Sequence, residues 1–72
     1  MSNITEMAEA IRRRRTLLNF TQADIAELSG VSLRTIRDME KGSGQSSLAN
    51  WKKVLDVLGL SFQIRAKDTI NA

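Results

Sequence analysis

Apolar and polar positions along this chain follow two rhythms, a helical one for most of its length and a twofold alternation near its end. From Ile4 to Leu18 the residues Ile4, Met7, Ala8, Ile11 and Leu18 recur at helical spacing and share one face, which predicts an amphipathic helix. The stretch QADIAELSGVSLRTIRDMEK, Gln22 to Lys41, predicts two short helices joined by a tight turn at Ser29-Gly30-Val31. Thr21 with Asp24 approximates a capping box, Asp standing where Glu or Gln is usual, and Phe20 with Ile25 makes a hydrophobic staple. Ser32 repeats the device for the next helix, with Val31 and Ile36 as its staple. Gly30 can take the positive φ that ends one helix and redirects the chain, and Ala26 offers only a methyl group where the second helix crosses the first.

Ser47 then caps a further helix reaching Leu58, with Leu48, Trp51, Val54, Leu55 and Leu58 on its inner face. Trp51 reads as core, Val57 falls off the main stripe where another subunit can meet it, and Gly59 stops the helix. Past Gly59 the period drops to two. Leu60, Phe62, Ile64 and Ala66 alternate with Ser61, Gln63, Arg65 and Lys67, the pattern of a half-buried strand. No other segment reads as a strand, so its backbone groups lack a partner within the chain. A second copy across a two-fold axis solves this as an antiparallel intersubunit ribbon, and an extended tail is the alternative. The expected architecture is therefore all-α: a bundle of four to five helices over residues 1–60, a dimerising strand at 61–67, and a flexible tail at 68–72.

Composition narrows the chemistry. Seventy-two residues make one small domain near the size where a single core is only marginally stabilising. There is no cysteine and no histidine, which removes thiol nucleophiles, disulfides and the commonest general base and metal ligand. No cluster of acids suggests a metal site, so neither an enzyme nor a cofactor is expected. Eleven Lys and Arg against eight Asp and Glu give a net charge of +3 and a pI near 10.0, a balance suited to a polyanion. No apolar run approaches a membrane span and the N-terminus lacks the order of a signal peptide, so a cytoplasmic protein is expected.

Two helices joined by a tight Gly-containing turn are the helix-turn-helix arrangement, whose second helix enters a DNA major groove. With Ile36 and Met39 turned inward, Ser32, Leu33, Arg34, Thr35, Arg37 and Asp38 are left for the outer surface. Arg34 and Arg37 carry the planar fork that matches O6 and N7 of guanine, and Leu33 can meet a thymine methyl. Asp38 can accept from cytosine N4 or orient Arg34 one turn away. Base contacts are thus expected from Ser32, Leu33, Arg34, Arg37 and Asp38. Gln22, beside the free N–H groups that begin its helix, and Lys41 are expected on phosphates. The run Arg12 to Arg15 closes the first predicted helix, where cations are favoured. Arg14 and Arg15 flank the apolar stripe, and Arg12 and Arg13 point outward as phosphate contacts or as solvated charge. A guanidinium at a core edge needs a carboxylate partner, and periodicity alone does not choose between Arg14 and Arg15 for that place.

Gln22, Ala26, Gly30, Val31, Ile36 and the segment Met39-Glu40-Lys41-Gly42 together resemble the XRE, or lambda-repressor-like, helix-turn-helix family, over about Ile4 to Leu60. The resemblance implies an ion pair between Arg15 and Glu40, and phosphate contacts from Gln22, Thr21 and Thr35. An XRE-type domain followed at once by a short strand, here LSFQIRAK, resembles the HipB-type antitoxins. That implies a homodimer on a palindromic double-stranded operator, repression of its own operon, and a HipA-type serine/threonine kinase toxin as a further partner. A solitary or phage-type XRE regulator without a toxin, and a protein-interaction module, are the alternatives.

Overall fold

Four helices follow one another in the computed structural model, which describes residues 3–43, 46–61 and 63: α1 (Asn3–Leu17), α2 (Gln22–Ser29), α3 (Leu33–Lys41) and α4 (Leu48–Val57). Their ends are written in local hydrogen bonds. At the start of α2 the Asp24 N–H donates to Thr21 Oγ1 at 3.0 Å, and the Thr21 N–H donates to Asp24 Oδ2 at 2.8 Å. The box closes with Asp in the Glu position because its shorter arm still reaches the cap N–H. Ser32 Oγ accepts from the Thr35 N–H at 3.1 Å to open α3, and Ser47 Oγ accepts from the Asn50 N–H at 3.1 Å to open α4. Gly30 adopts φ 78° and its N–H donates to the Ala26 carbonyl at 3.0 Å, which ends α2 and aims the chain into α3. α1 ends without a glycine. Asn19 takes φ 62°, and the Phe20 N–H donates to the Arg15 carbonyl at 3.0 Å. Asn tolerates this left-handed conformation better than most residues.

One core joins all four helices. Ile11 of α1, Ile25 of α2, Val31 of the turn, Ile36 and Met39 of α3, and Trp51, Val54 and Leu55 of α4 are buried together with Leu58. α3 packs on both α2 and α1, and α4 packs on α2. Each fully buried aliphatic side chain contributes roughly 1.5–3 kcal/mol, so the two-helix unit is held rigid by apolar contact on its inner side.

Three expectations about apolar positions need correction. Leu18 is 39% exposed: α1 stops at Leu17, the chain reverses at Asn19, and Phe20 supplies the apolar contact at that end. Leu48, 59% exposed, is the first residue of α4. Helical side chains tilt toward the N-terminus, so at that position Leu48 projects past the helix mouth and not onto the core. Val57 packs against the core of its own domain instead of standing free. No strand forms among the described residues. Leu60, expected to begin the strand, is partly buried on the same core, and its N–H donates to the Leu55 carbonyl at 2.8 Å. That bond and contact are the usual partners of a glycine-ended helix, here closed by Gly59 at φ 73°. Phe62, Ile64 and Ala66 lie outside the described residues.

Candidate nucleic-acid interface

α3 presents one face and hides the other. Ile36 and Met39, both without solvent exposure, fix its rotation about its own axis. That rotation leaves Ser32, Arg34 and Arg37 exposed, with Leu33, Thr35 and Asp38 half-buried beside them. The ion pairs among the described residues are Arg15–Glu40 and Lys52–Asp56, so neither Arg34 nor Arg37 has its guanidinium engaged by a carboxylate. The alternative role for Asp38, orienting Arg34, is therefore not realised in this structure. Ser32 is committed to its own helix: besides accepting from the Thr35 N–H, its hydroxyl donates to Thr35 Oγ1 at 2.9 Å. A cap in this position shapes the helix mouth more than it reaches outward.

At the other end of α3 the structure brings Arg15 and Glu40 together. Glu40, only 5% exposed, accepts from Arg15 Nε at 2.7 Å on Oε2 and from Arg15 Nη2 at 3.0 Å on Oε1. This fork-on-fork contact matches guanidinium and carboxylate geometry. The bonds to Glu40 raise the Arg15 pKa above its ordinary value, against the opposing effect of partial burial. Arg15 Nη1 also donates to the Phe20 carbonyl at 3.0 Å. Gln22 Nε2 adds a third donor to the carboxylate, 3.1 Å from Glu40 Oε1. Gln22 is thus tied to α3, with its second amide N–H left over for an outside acceptor. Thr21 is exposed and its oxygen accepts within the capping box, and Lys41 is exposed at the end of α3.

The arginine run holds contacts that sequence reasoning missed. Arg12 Nη1 donates to the main-chain carbonyl of Glu40, and Arg14 Nε donates to the carbonyl of Leu58 at 2.8 Å. Helical periodicity gave Arg14 and Arg15 a place beside the core and Arg12 and Arg13 a place outside. The burial agrees: the first two are half-buried and the second two exposed. The acceptors are 28 and 44 residues away along the chain, and nothing local in the sequence marks them.

This arrangement is matched by a family model described as helix-turn-helix, over residues 11–64. No curated protein matches the chain. Among the described residues no helix is long and apolar enough to cross a membrane.

Proposed function

The chain belongs to the XRE-type helix-turn-helix family and is a DNA-binding regulator, and from that premise we propose that it is a repressor reading a palindromic operator as a homodimer. The observation that carries this reading is α3 itself: a short helix pinned by Ile36 and Met39, with the forks of Arg34 and Arg37 exposed and without a carboxylate partner among the described residues. Arg34 and Arg37 are assigned to guanine edges, Leu33 to a thymine methyl, and Asp38, unpaired with Arg34, to a cytosine amino group, with Ser32 at the helix mouth. Thr21, Gln22, Thr35 and Lys41 are assigned to the sugar–phosphate backbone, which fixes register without carrying sequence. Two such helices about 34 Å apart meet successive major grooves, and a two-fold pairing through Phe62, Ile64 and Ala66 is the assigned means of joining the two copies. No catalytic role is assigned to any residue.

The finer reading makes this repressor the antitoxin of a HipA-type kinase. It rests on the alternation from Leu60 to Lys67 immediately after the domain. Two experiments test the two levels separately. Sequencing the genomic fragments retained by the purified protein should return one palindrome, bound with an affinity that falls steeply as salt rises. Retention of random fragments, or binding indifferent to salt, would remove the operator reading. Co-purification of a serine/threonine kinase with the native protein supports the antitoxin reading, and its absence alongside a recovered operator leaves a solitary regulator.

A further inference from the structure

Four consecutive arginines on a basic DNA-binding protein look like a phosphate-binding patch. The contacts of Arg12 to Arg15 point elsewhere. A helix leaves its last carbonyls without intrahelical donors, and each must find a partner or face water. In α3 the Asp38 carbonyl accepts from the Ser43 N–H at 3.0 Å and the Met39 carbonyl from the Gly42 N–H at 3.1 Å. The next carbonyl, that of Glu40, has no backbone donor among the described residues, and Arg12 of α1 supplies one. α4 receives a related contact one residue past its end. Its closing turn satisfies the carbonyls of Val54, Leu55 and Asp56, and beyond Val57 the carbonyl of the cap residue Leu58 accepts from Arg14 of α1. The Arg14 guanidinium lies so close over that turn that a Cβ at Gly59 would stand 3.4 Å from its Nη2. A cation at the C-terminal end of a helix also meets the negative end of the dipole.

We propose that Arg12 and Arg14 are positioning residues: α1 uses them as cross-helix caps on the ends of α3 and α4 and so acts as the rigid spacer between the reading helix and the segment that follows α4. The assignment of that segment as the dimerising element, and of α3 as the DNA reader, rests on the function proposed above. Arg15 strengthens the α3 end of the spacer by holding the side chain of the same Glu40 whose carbonyl Arg12 holds. Arg13, exposed and without a partner among the described residues, is the member of the run left for phosphate.

Arg12→Met, Arg14→Met and Arg13→Met, with Arg12→Lys and Arg14→Lys as charge-retaining partners, separate the roles. Hydrogen exchange on the free protein needs no DNA. Arg12→Met should speed exchange in the last turn of α3 and Arg14→Met in the last turn of α4, while Arg13→Met changes neither. Each Lys variant should recover part of the protection, since an ammonium can still donate to a carbonyl. On the operator, Arg12→Met and Arg14→Met should keep the wild-type salt slope and tolerate half-sites moved apart by one base pair. Arg13→Met should shrink the slope by about 0.9 per copy, as loss of one phosphate contact does. The proposal is overturned if exchange is unchanged in Arg12→Met and Arg14→Met, or if their salt slopes fall as that of Arg13→Met does. Altered exchange in a protein that retains no operator at all keeps the caps and removes the DNA reading instead.

Discussion

Glu40→Gln replaces one oxygen of a nearly buried carboxylate with an amide and leaves the shape of residue 40 unchanged. In the native domain that carboxylate accepts three side-chain hydrogen bonds, two from Arg15 and one from Gln22. The glutamine amide keeps one acceptor oxygen, so one of the two Arg15 bonds meets an N–H where an acceptor stood, and the other becomes charged-to-neutral. A hydrogen bond to a charged group contributes roughly 1.5–3 kcal/mol and a neutral one roughly 0.5–1.5 kcal/mol. Removing one partner of a fully buried pair costs about 3–5 kcal/mol. Arg15 retains 19% side-chain exposure and a bond to the Phe20 carbonyl, so it is only partly stranded. The expected loss is therefore about 2–3 kcal/mol, a large part of the stability of so small a domain. At roughly 4–8 °C per kcal/mol the midpoint should fall by about 8–24 °C. Thermal and urea unfolding followed by circular dichroism measure both quantities, with an unchanged urea m-value confirming that the folded state is the same. A Glu40→Gln variant within about 0.5 kcal/mol of wild type, the scale of an ordinary surface change, would refute the reasoning.

Arg34→Ala and Arg37→Ala should each weaken operator binding by roughly 1–3 kcal/mol and relax base preference at one position, read by titration against operators changed one base pair at a time. Ser32→Ala strands the Thr35 N–H and should cost about 1 kcal/mol in thermal unfolding. Gly30→Ala meets no atom within 4 Å, so its expected cost of about 1–2 kcal/mol comes from φ 78° alone; an unchanged midpoint would show that the turn relaxes. Deleting residues 61–72 should give monomers by sedimentation and weaker binding to the palindrome, whereas an unaltered sedimentation profile refutes the ribbon. The contribution of Arg15 to stability should be flat across neutral pH: its pKa is raised, so the stabilisation is fully present below the ordinary arginine range and is lost only at pH values above it.

Much of the fold was legible because helix ends are local. The Thr21–Asp24 box, the Ser32 and Ser47 caps and the turn at Gly30 each close over two to four residues, so their chemistry is visible in the order of side chains. The inward faces of α3 and α4 followed from period for the same reason. Periodicity failed at Leu18 and Leu48, which sit on the projected stripe but past the end, or at the mouth, of their helices, where there is no neighbour to cover them.

By itself the sequence determined which stretches become helix, where the caps open α2, α3 and α4, where Gly30 and Gly59 close α2 and α4, and that the second motif helix carries two arginines outward. The end of α1 at Asn19 came from the fold. Tertiary structure alone decided what Arg12 and Arg14 do, because they act on acceptors 28 and 44 residues away, whereas the Arg15–Glu40 pair was already implied by the family resemblance. The same packing gave Gln22, expected on phosphate, a partner in Glu40, and gave Leu60 a place on its own core. A long guanidinium side chain bonds whichever carbonyl or carboxylate the packed helices bring within its reach, and only the assembled core sets which one that is.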